Sequence, residues 1–461
     1  MKQLCLILTA GWLVGCAHYQ RQPLAPENSA AQLDARRLDD AGLKSFVTTN
    51  VAASWTNWPP AQWDVNALTL AAYYFHPDLA VARAQWRVAV AGITTAGGRP
   101  NPVISGGPGF NFSAAGMTPW MPFGAVDWPL ETAGKRGQRI AAAENISASA
   151  RWDYFATAWQ LRRGVRSALV DFAAAGQRAA LLQKQFAAQE EISRRLEQRC
   201  AAGAIARSEM LPAQMALNAT RAEQAAAQAK LAAARSQLAE AVGVPLAALD
   251  GINLPTQFPP PPATDLSSAE IRRTALLGRA DIRAALADYA ASEANLRLEI
   301  AKQFPDVHLN PGYQFDQGDN KWTFGLTLEL PVLNQNQGPI AEAKAQRELA
   351  AAKFLQLQAQ TLAAIDRAVA ALAAARTQLR HSASQFAVAE QRQKSLAAQL
   401  KAGAAEPLDL LAAEVELQSV RLAQLEDEVQ FQSAVGALED AVQRPADAFA
   451  ADKFLPAISQ P

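Results

Sequence analysis

The sequence lacks several features that would assign it to common classes of protein. Its three cysteines cannot form a disulfide framework, and its four histidines do not have the spacing of a metal site. The 43 basic residues are balanced by 43 acidic ones, which excludes a protein that binds nucleic acid through a basic surface. Neither a Gly-x-Ser-x-Gly nor a His-Glu-x-x-His motif occurs. We therefore predict a protein that is not an enzyme and uses no cofactor or metal.

The first fifteen residues have the pattern of a short secretory signal. Lys2 precedes an apolar run that ends in Leu13-Val14-Gly15-Cys16, which resembles the lipobox of bacterial lipoproteins. That resemblance implies cleavage before Cys16 and acylation of this cysteine, which would anchor the chain in outer-membrane lipid. A plain secretory signal with an incidental cysteine is the alternative. Beyond residue 16 no apolar run of 18 residues occurs, so any membrane-spanning part has to be built from strands.

The chain repeats itself at a spacing of 200 residues. Leu196–Pro245 aligns with Leu396–Pro445 without a gap, so that Gly203 matches Gly403. Such self-similarity predicts two tandem structural repeats separated by a Pro-rich linker. The expected divisions are a signal peptide at 1–15, a lipid-anchored extension at 16–66, repeat 1 at 67–250, a linker at 251–265, repeat 2 at 266–445 and a C-terminal tail at 446–461.

Each repeat contains a segment with the alternation of a β-hairpin, at 101–130 and at 305–332. The pattern is clearest in 306–316 and 321–330, where every second side chain is apolar and the others are polar or glycine. About ten residues is the length of a transmembrane strand, and an apolar outer face with a polar inner face is typical of a membrane barrel. A soluble, half-buried hairpin has the same alternation and remains the alternative.

Four strands are too few to close a barrel alone, because the smallest single-chain membrane barrels have eight. An open sheet edge in lipid would leave backbone hydrogen-bonding groups unsatisfied. If the strands cross a membrane, several copies of the chain must therefore share one barrel.

Long helical runs follow the two hairpins, at roughly 137–200 and 338–401. At about 1.5 Å per residue each would span roughly 96 Å, far more than a globular domain requires. Apolar side chains recur at alternating spacings of three and four residues, which is typical of coiled-coil packing. We predict two long coiled-coil helical hairpins, with tips near residues 203 and 403.

The tips have matched sequences in which Gly203 precedes Glu209 and Gly403 precedes Asp409. Glycine commonly ends a helix in the left-handed conformation, and a carboxylate in the first turn of the next helix stabilises its positive end. Helix capping is therefore one interpretation of the two acids. The other is that several copies bring them together as an acidic ring at a pore mouth, which would favour cations.

These features together resemble the TolC-like outer membrane efflux protein family over nearly the whole mature chain. The resemblance implies a homotrimer in which each copy contributes four strands to a 12-stranded barrel. It also implies helical tips that meet a periplasmic adaptor and an inner-membrane RND-type pump, with Gly203, Glu209, Gly403 and Asp409 at the periplasmic tip or gate. Some members have a further acid three residues after the second tip acid, where this chain has Ala412.

Two phrases resemble the heavy-metal cation branch of that family, the cobalt-zinc-cadmium type. They are Glu131-Thr132-Ala133-Gly134-Lys135-Arg136 and the segment Leu330–Gly338. The implied function is a passive outer-membrane duct for heavy-metal cations. A duct for drugs or organic solutes, and a periplasmic helical lipoprotein without a pore, are the alternatives.

Overall fold

The structure, a computed structural model, describes residues 18–50, 58–112, 118–259 and 268–445. It is mainly helical with four strands, which confirms the predicted fold class. The predicted signal peptide, Cys16 and the tail at 446–461 lie outside the described residues. In the part of the chain that is described, none of the helices combines the length and the apolar character needed to cross a membrane.

The described elements follow the same order in both parts of the chain: two helices, two strands and two long helices. In the first part they are α1 (Pro26–Asp34), α2 (Ala41–Asn50), α3 (Val65–Phe75), α4 (Pro77–Ala96), β1 (Val103–Gly107), β2 (Phe123–Leu130), α5 (Lys135–Ala201) and α6 (Arg207–Val242). In the second part they are α7 (Ser268–Gly278), α8 (Ala280–Ala301), β3 (Val307–Asp316), β4 (Asp319–Leu328), α9 (Gln337–Lys401) and α10 (Pro407–Val442).

The long helices α5 and α9 contain 67 and 65 residues, so each spans about 100 Å. Helix α5 packs along α6, α9 packs along α10, and α5 also packs along α10. Many of the buried positions on these helices are alanine, and these small side chains let the helix backbones approach closely. The predicted starts of α5 and α9 differ from the structure by only two residues and one residue.

The largest core lies where the N-terminal helices pack on the bases of α3, α5 and α6. Leu43 and Val47 of α2 are buried there against Leu68, Val165 and Leu238. A second core joins α7 to α9 and α10, around Ile365 and Val435. The two short N-terminal helices therefore belong to the folded body of the chain.

A buried arginine links α5 to α10 midway along the bundle. The Arg166 Nε lies 2.9 Å from Glu439 Oε2, and its Nη1 donates to the Gln432 carbonyl oxygen at 2.9 Å. Burial lowers the pKa of Arg166, while the Glu439 carboxylate opposes that shift. Gly436 makes room for this side chain, because a Cβ there would lie 2.6 Å from Arg166 Nη1.

The four strands form one antiparallel sheet in the order β1-β2-β3-β4. The pairing of β2 with β3 therefore joins the two parts of the chain. Strands β3 and β4 form the predicted tight hairpin, whereas β1 and β2 are separated by a longer connection that contains an isolated bridge between Phe110 and Trp120. Residues 113–117 of that connection lie outside the described residues.

Candidate functional site

The register of the sheet divides its side chains into an apolar face and a polar face. Trp128 lies opposite Leu309, and Leu309 lies opposite Leu326, so that one row of apolar side chains crosses three strands. Trp322 and Phe324 on the same face are 79% and 76% exposed in the single chain. An exposed apolar surface that extends over a whole sheet needs a covering partner, either protein or lipid.

The opposite face of the sheet carries polar and charged side chains that pair with one another. Asn310 donates to the Thr327 hydroxyl oxygen at 2.8 Å. The Lys321 Nζ lies 2.7 Å from Asp316 Oδ2, and His308 Nδ1 lies 2.9 Å from Asp127 Oδ1. One face of the sheet therefore suits an apolar environment and the other suits water.

The phrase at 131–136 forms the connection between the sheet and α5, which we call the junction. Gly134 has a φ of 71°, which favours glycine, and it immediately precedes the first residue of α5. Lys135 is only 7% exposed and lies at the centre of the junction. Its Nζ contacts Asp306 Oδ1 at 2.8 Å and donates to the Phe304 carbonyl oxygen at 2.7 Å.

Two arginines extend the junction to the end of α4. Arg139 makes a two-pronged ion pair with Glu131, and its guanidinium also donates to the Ala96 and Gly98 carbonyl oxygens. The hydrogen bond from Arg139 lowers the pKa of the Glu131 carboxyl. Arg136 donates to the Gly97 carbonyl oxygen at 2.8 Å. The orphan carbonyl groups at the end of α4 are thus satisfied by α5.

The second phrase, Leu330–Gly338, lies at the corresponding place before α9. Asn336 has a φ of 61° and immediately precedes this helix. Its Nδ2 donates to the Glu299 backbone oxygen at 2.7 Å and to Glu299 Oε2 at 2.9 Å. Both phrases that resemble the heavy-metal branch therefore hold strand-to-helix connections in place, and neither forms a metal site. Among the described residues, no cluster of three or more His, Cys, Asp or Glu could hold a metal ion.

The two predicted tip glycines end α5 and α9 with the same geometry. Gly203 and Gly403 have φ values of 73° and 74°. In each tip, the glycine N–H donates to the carbonyl oxygen three residues earlier, and the next N–H donates to the carbonyl five residues earlier. This pair of bonds is the Schellman motif, in which a left-handed glycine satisfies the last carbonyl groups of a helix.

The two tip acids cap the helices that follow. Glu209 Oε1 accepts a hydrogen bond from the Ala206 N–H at 3.3 Å, and Asp409 Oδ2 accepts one from the Glu406 N–H at 3.0 Å. Both acids are third residues of their helices, where a carboxylate can bond the amide at the helix start. Both are also exposed, so capping leaves part of each carboxylate in contact with water.

A contact between the two tips was not predicted from the sequence. Arg199 Nη2 in the last turn of α5 lies 2.7 Å from Glu406 Oε2, immediately before α10. The 44% and 62% exposure of these side chains places the pair at the surface. A basic residue in the last turn of a helix is a common capping signal, but its partner across the bundle could not be inferred from it.

Comparisons with known proteins agree with this architecture. The model of a family described as outer membrane efflux protein matches residues 72–244 and 271–442. Nodulation protein T of Rhizobium leguminosarum bv. trifolii is 27% identical over 276 residues, which are 57% of this chain and 58% of that protein. The cobalt-zinc-cadmium resistance protein CzcC of Cupriavidus metallidurans is 27% identical over 240 residues, 49% of this chain and 54% of that protein. The matches thus span little more than half the length of these curated relatives.

Solved structures share the fold at lower identity. The outer membrane protein VceC of Vibrio cholerae superimposes with a TM-score of 0.68 at 21% identity. The match covers 84% of this chain and 100% of that one. The likeness extends over the sheet and both long helical hairpins, and it concerns the fold alone.

Proposed function

Because the chain belongs to the outer membrane efflux protein family, we propose that it is the passive outer-membrane duct of a tripartite efflux system. The observation that carries this proposal is the two-faced sheet at one end of helical hairpins about 100 Å long. An apolar face suits lipid and a polar face suits a water-filled lumen. A periplasmic helical spacer without a pore, the alternative, would have no use for such a sheet.

The proposed assembly is a homotrimer. In a single chain β1 and β4 are the edge strands of a four-stranded sheet, and an open edge is unfavourable in lipid. Three copies would close a shared 12-stranded barrel and remove the edges. We further propose the division into two tandem repeats, acylation of Cys16 as an additional lipid anchor, and contact of the tips with a periplasmic adaptor and an RND-type pump.

Heavy-metal cations are the proposed substrates. The support is the similarity to CzcC, whose name records resistance to cobalt, zinc and cadmium. Efflux of drugs or organic solutes is the second candidate, because the match to Nodulation protein T is of equal identity and its name records no metal. Deleting the gene should lower the tolerated concentration of zinc or cadmium. Sensitivity to dyes and antibiotics with unchanged metal tolerance would favour the second candidate.

The duct itself is tested by the electrical conductance of the purified protein in a planar bilayer, together with its mass in detergent. Stable single-channel steps from a protein of trimer mass are expected. A monomeric rod that never conducts would contradict the duct and favour the helical spacer.

We propose that Glu209 and Asp409 also form an acidic ring when three tips converge. The variants Glu209→Gln and Asp409→Asn remove the charge but keep an oxygen that can accept the capping hydrogen bond. If the ring exists, both variants should lower the preference of the channel for cations over anions. If selectivity is unchanged in the double variant, the two acids serve only as helix caps.

A further inference from the structure

Three acid–base pairs lie on the polar face of the sheet or at its base, and one of them differs chemically from the others. Asp316 is paired with Lys321 at 2.7 Å, and Asp306 is paired with Lys135 at 2.8 Å. The third acid, Asp127, is paired with a histidine: His308 Nδ1 lies 2.9 Å from Oδ1 and 3.2 Å from Oδ2. Lysine stays charged at physiological pH, whereas imidazole is the side chain that changes charge between pH 5 and 8.

The histidine pair has access to water and lies near the helical end of the sheet. The His308 and Asp127 side chains are 38% and 41% exposed, and His308 is the second residue of β3. Across the sheet, His308 lies opposite the uncharged Thr327 of β4, and Asp127 lies opposite Val103 of β1. The other charged groups near the pair are Asp306, which Lys135 compensates, and Glu329 just beyond β4.

We propose that the Asp127–His308 pair determines the ion selectivity of the duct and makes that selectivity depend on pH. The inference rests on the proposed function, in which the polar face of the sheet lines the lumen. When the imidazole is neutral, the Asp127 carboxylate is an uncompensated negative charge, repeated once per copy. When the imidazole is protonated, the pair is neutral overall. Negative charges on a pore wall attract cations, so the preference for cations falls as the pH is lowered.

The test is the reversal potential of single channels under a potassium chloride gradient, measured at pH 8 and at pH 5. We expect the permeability ratio of potassium to chloride in the wild type to fall roughly twofold, a modest change because salt screens wall charges over about 10 Å. His308→Gln keeps a donor toward Asp127 but cannot become charged, so it should remain cation-preferring at both pH values. Asp127→Asn should show the weaker preference even at pH 8.

A matched control is Lys321→Gln, which removes a cation from the same face of the sheet without altering the histidine pair. This variant should shift the ratio at both pH values and keep the wild-type change between them. Channels whose selectivity does not depend on pH, or a His308→Gln variant that keeps the full dependence, would overturn the inference while leaving the duct intact. A protein that forms no channels at all contradicts the proposed function instead.

Discussion

The two ends of the long helix α5 are held in different ways. At the junction, the almost fully buried Lys135 bonds Asp306, which is 171 positions away in the chain. At the tip, the hydrogen bonds around Gly203 are local, and the longer-range contact is an exposed ion pair between Arg199 and Glu406. Buried, hydrogen-bonded charges hold a geometry firmly, whereas exposed ion pairs contribute little.

This difference separates the functions of the two ends. Regions whose contacts are exposed and few are the ones that open at low cost in free energy, while buried networks open only with the whole fold. We therefore expect the junction to keep the sheet fixed on the helices while the tips change position. That arrangement suits a duct whose tips have to fit a partner.

The largest effect is expected from Lys135→Ala at the junction. The change leaves Asp306 without its cation and the Phe304 carbonyl oxygen without its donor. Breaking a buried pair costs about 3–5 kcal/mol, and because Asp306 is 34% exposed we expect about 2 kcal/mol. The measurement is the free energy of unfolding in detergent, followed by circular dichroism.

Lys302→Ala is the matched control for this experiment. Lys302 also pairs with an acid, Glu299 at 2.6 Å, but its side chain is 46% exposed. The control should cost less than about 0.5 kcal/mol. Equal losses in the two variants would mean that the junction is held no more firmly than an exposed ion pair.

The sequence predicted local features of both ends and missed the contacts between distant residues. The long helices, the β3–β4 alternation and the two tip turns depend on residues close in the chain, so periodicity and Gly203 or Gly403 were sufficient signals. The phrase around Lys135 could be recognised only as a family resemblance. Its partner Asp306 lies in the other part of the chain, and the pairing of β2 with β3 that joins these parts depends on tertiary packing.

A smaller effect is expected from Gly403→Leu at the second tip. The left-handed φ of 74° costs a residue with a side chain about 1–2 kcal/mol, although nothing within 4 Å would obstruct the added Cβ. The loss should therefore appear as faster amide hydrogen exchange in residues 399–409, with little change in global unfolding. The expected functional result is weaker pump-dependent resistance with the conductance of the isolated channel retained.

Gly137→Leu in α5 is the control for the glycine substitution, because Gly137 is helical, exposed and also without a nearby atom. Leucine is a better helix former than glycine, so this variant should be neutral or slightly stabilising. Loss of resistance in both variants would show that the second tip turn is not what the pump partner requires.

The smallest effect is expected from breaking the ion pair between the tips. A double-mutant cycle of Arg199→Ala and Glu406→Ala should give a coupling free energy of about 0.2–1 kcal/mol, since both side chains are exposed. The backbone bonds of the two turns remain, and so does the capping bond from the Glu406 N–H to Asp409. Either single variant should nevertheless raise hydrogen exchange in both 202–209 and 402–409, because the pair joins the end of α5 to the start of α10. If each substitution affects only its own tip, the two turns move independently and the ion pair does not couple them.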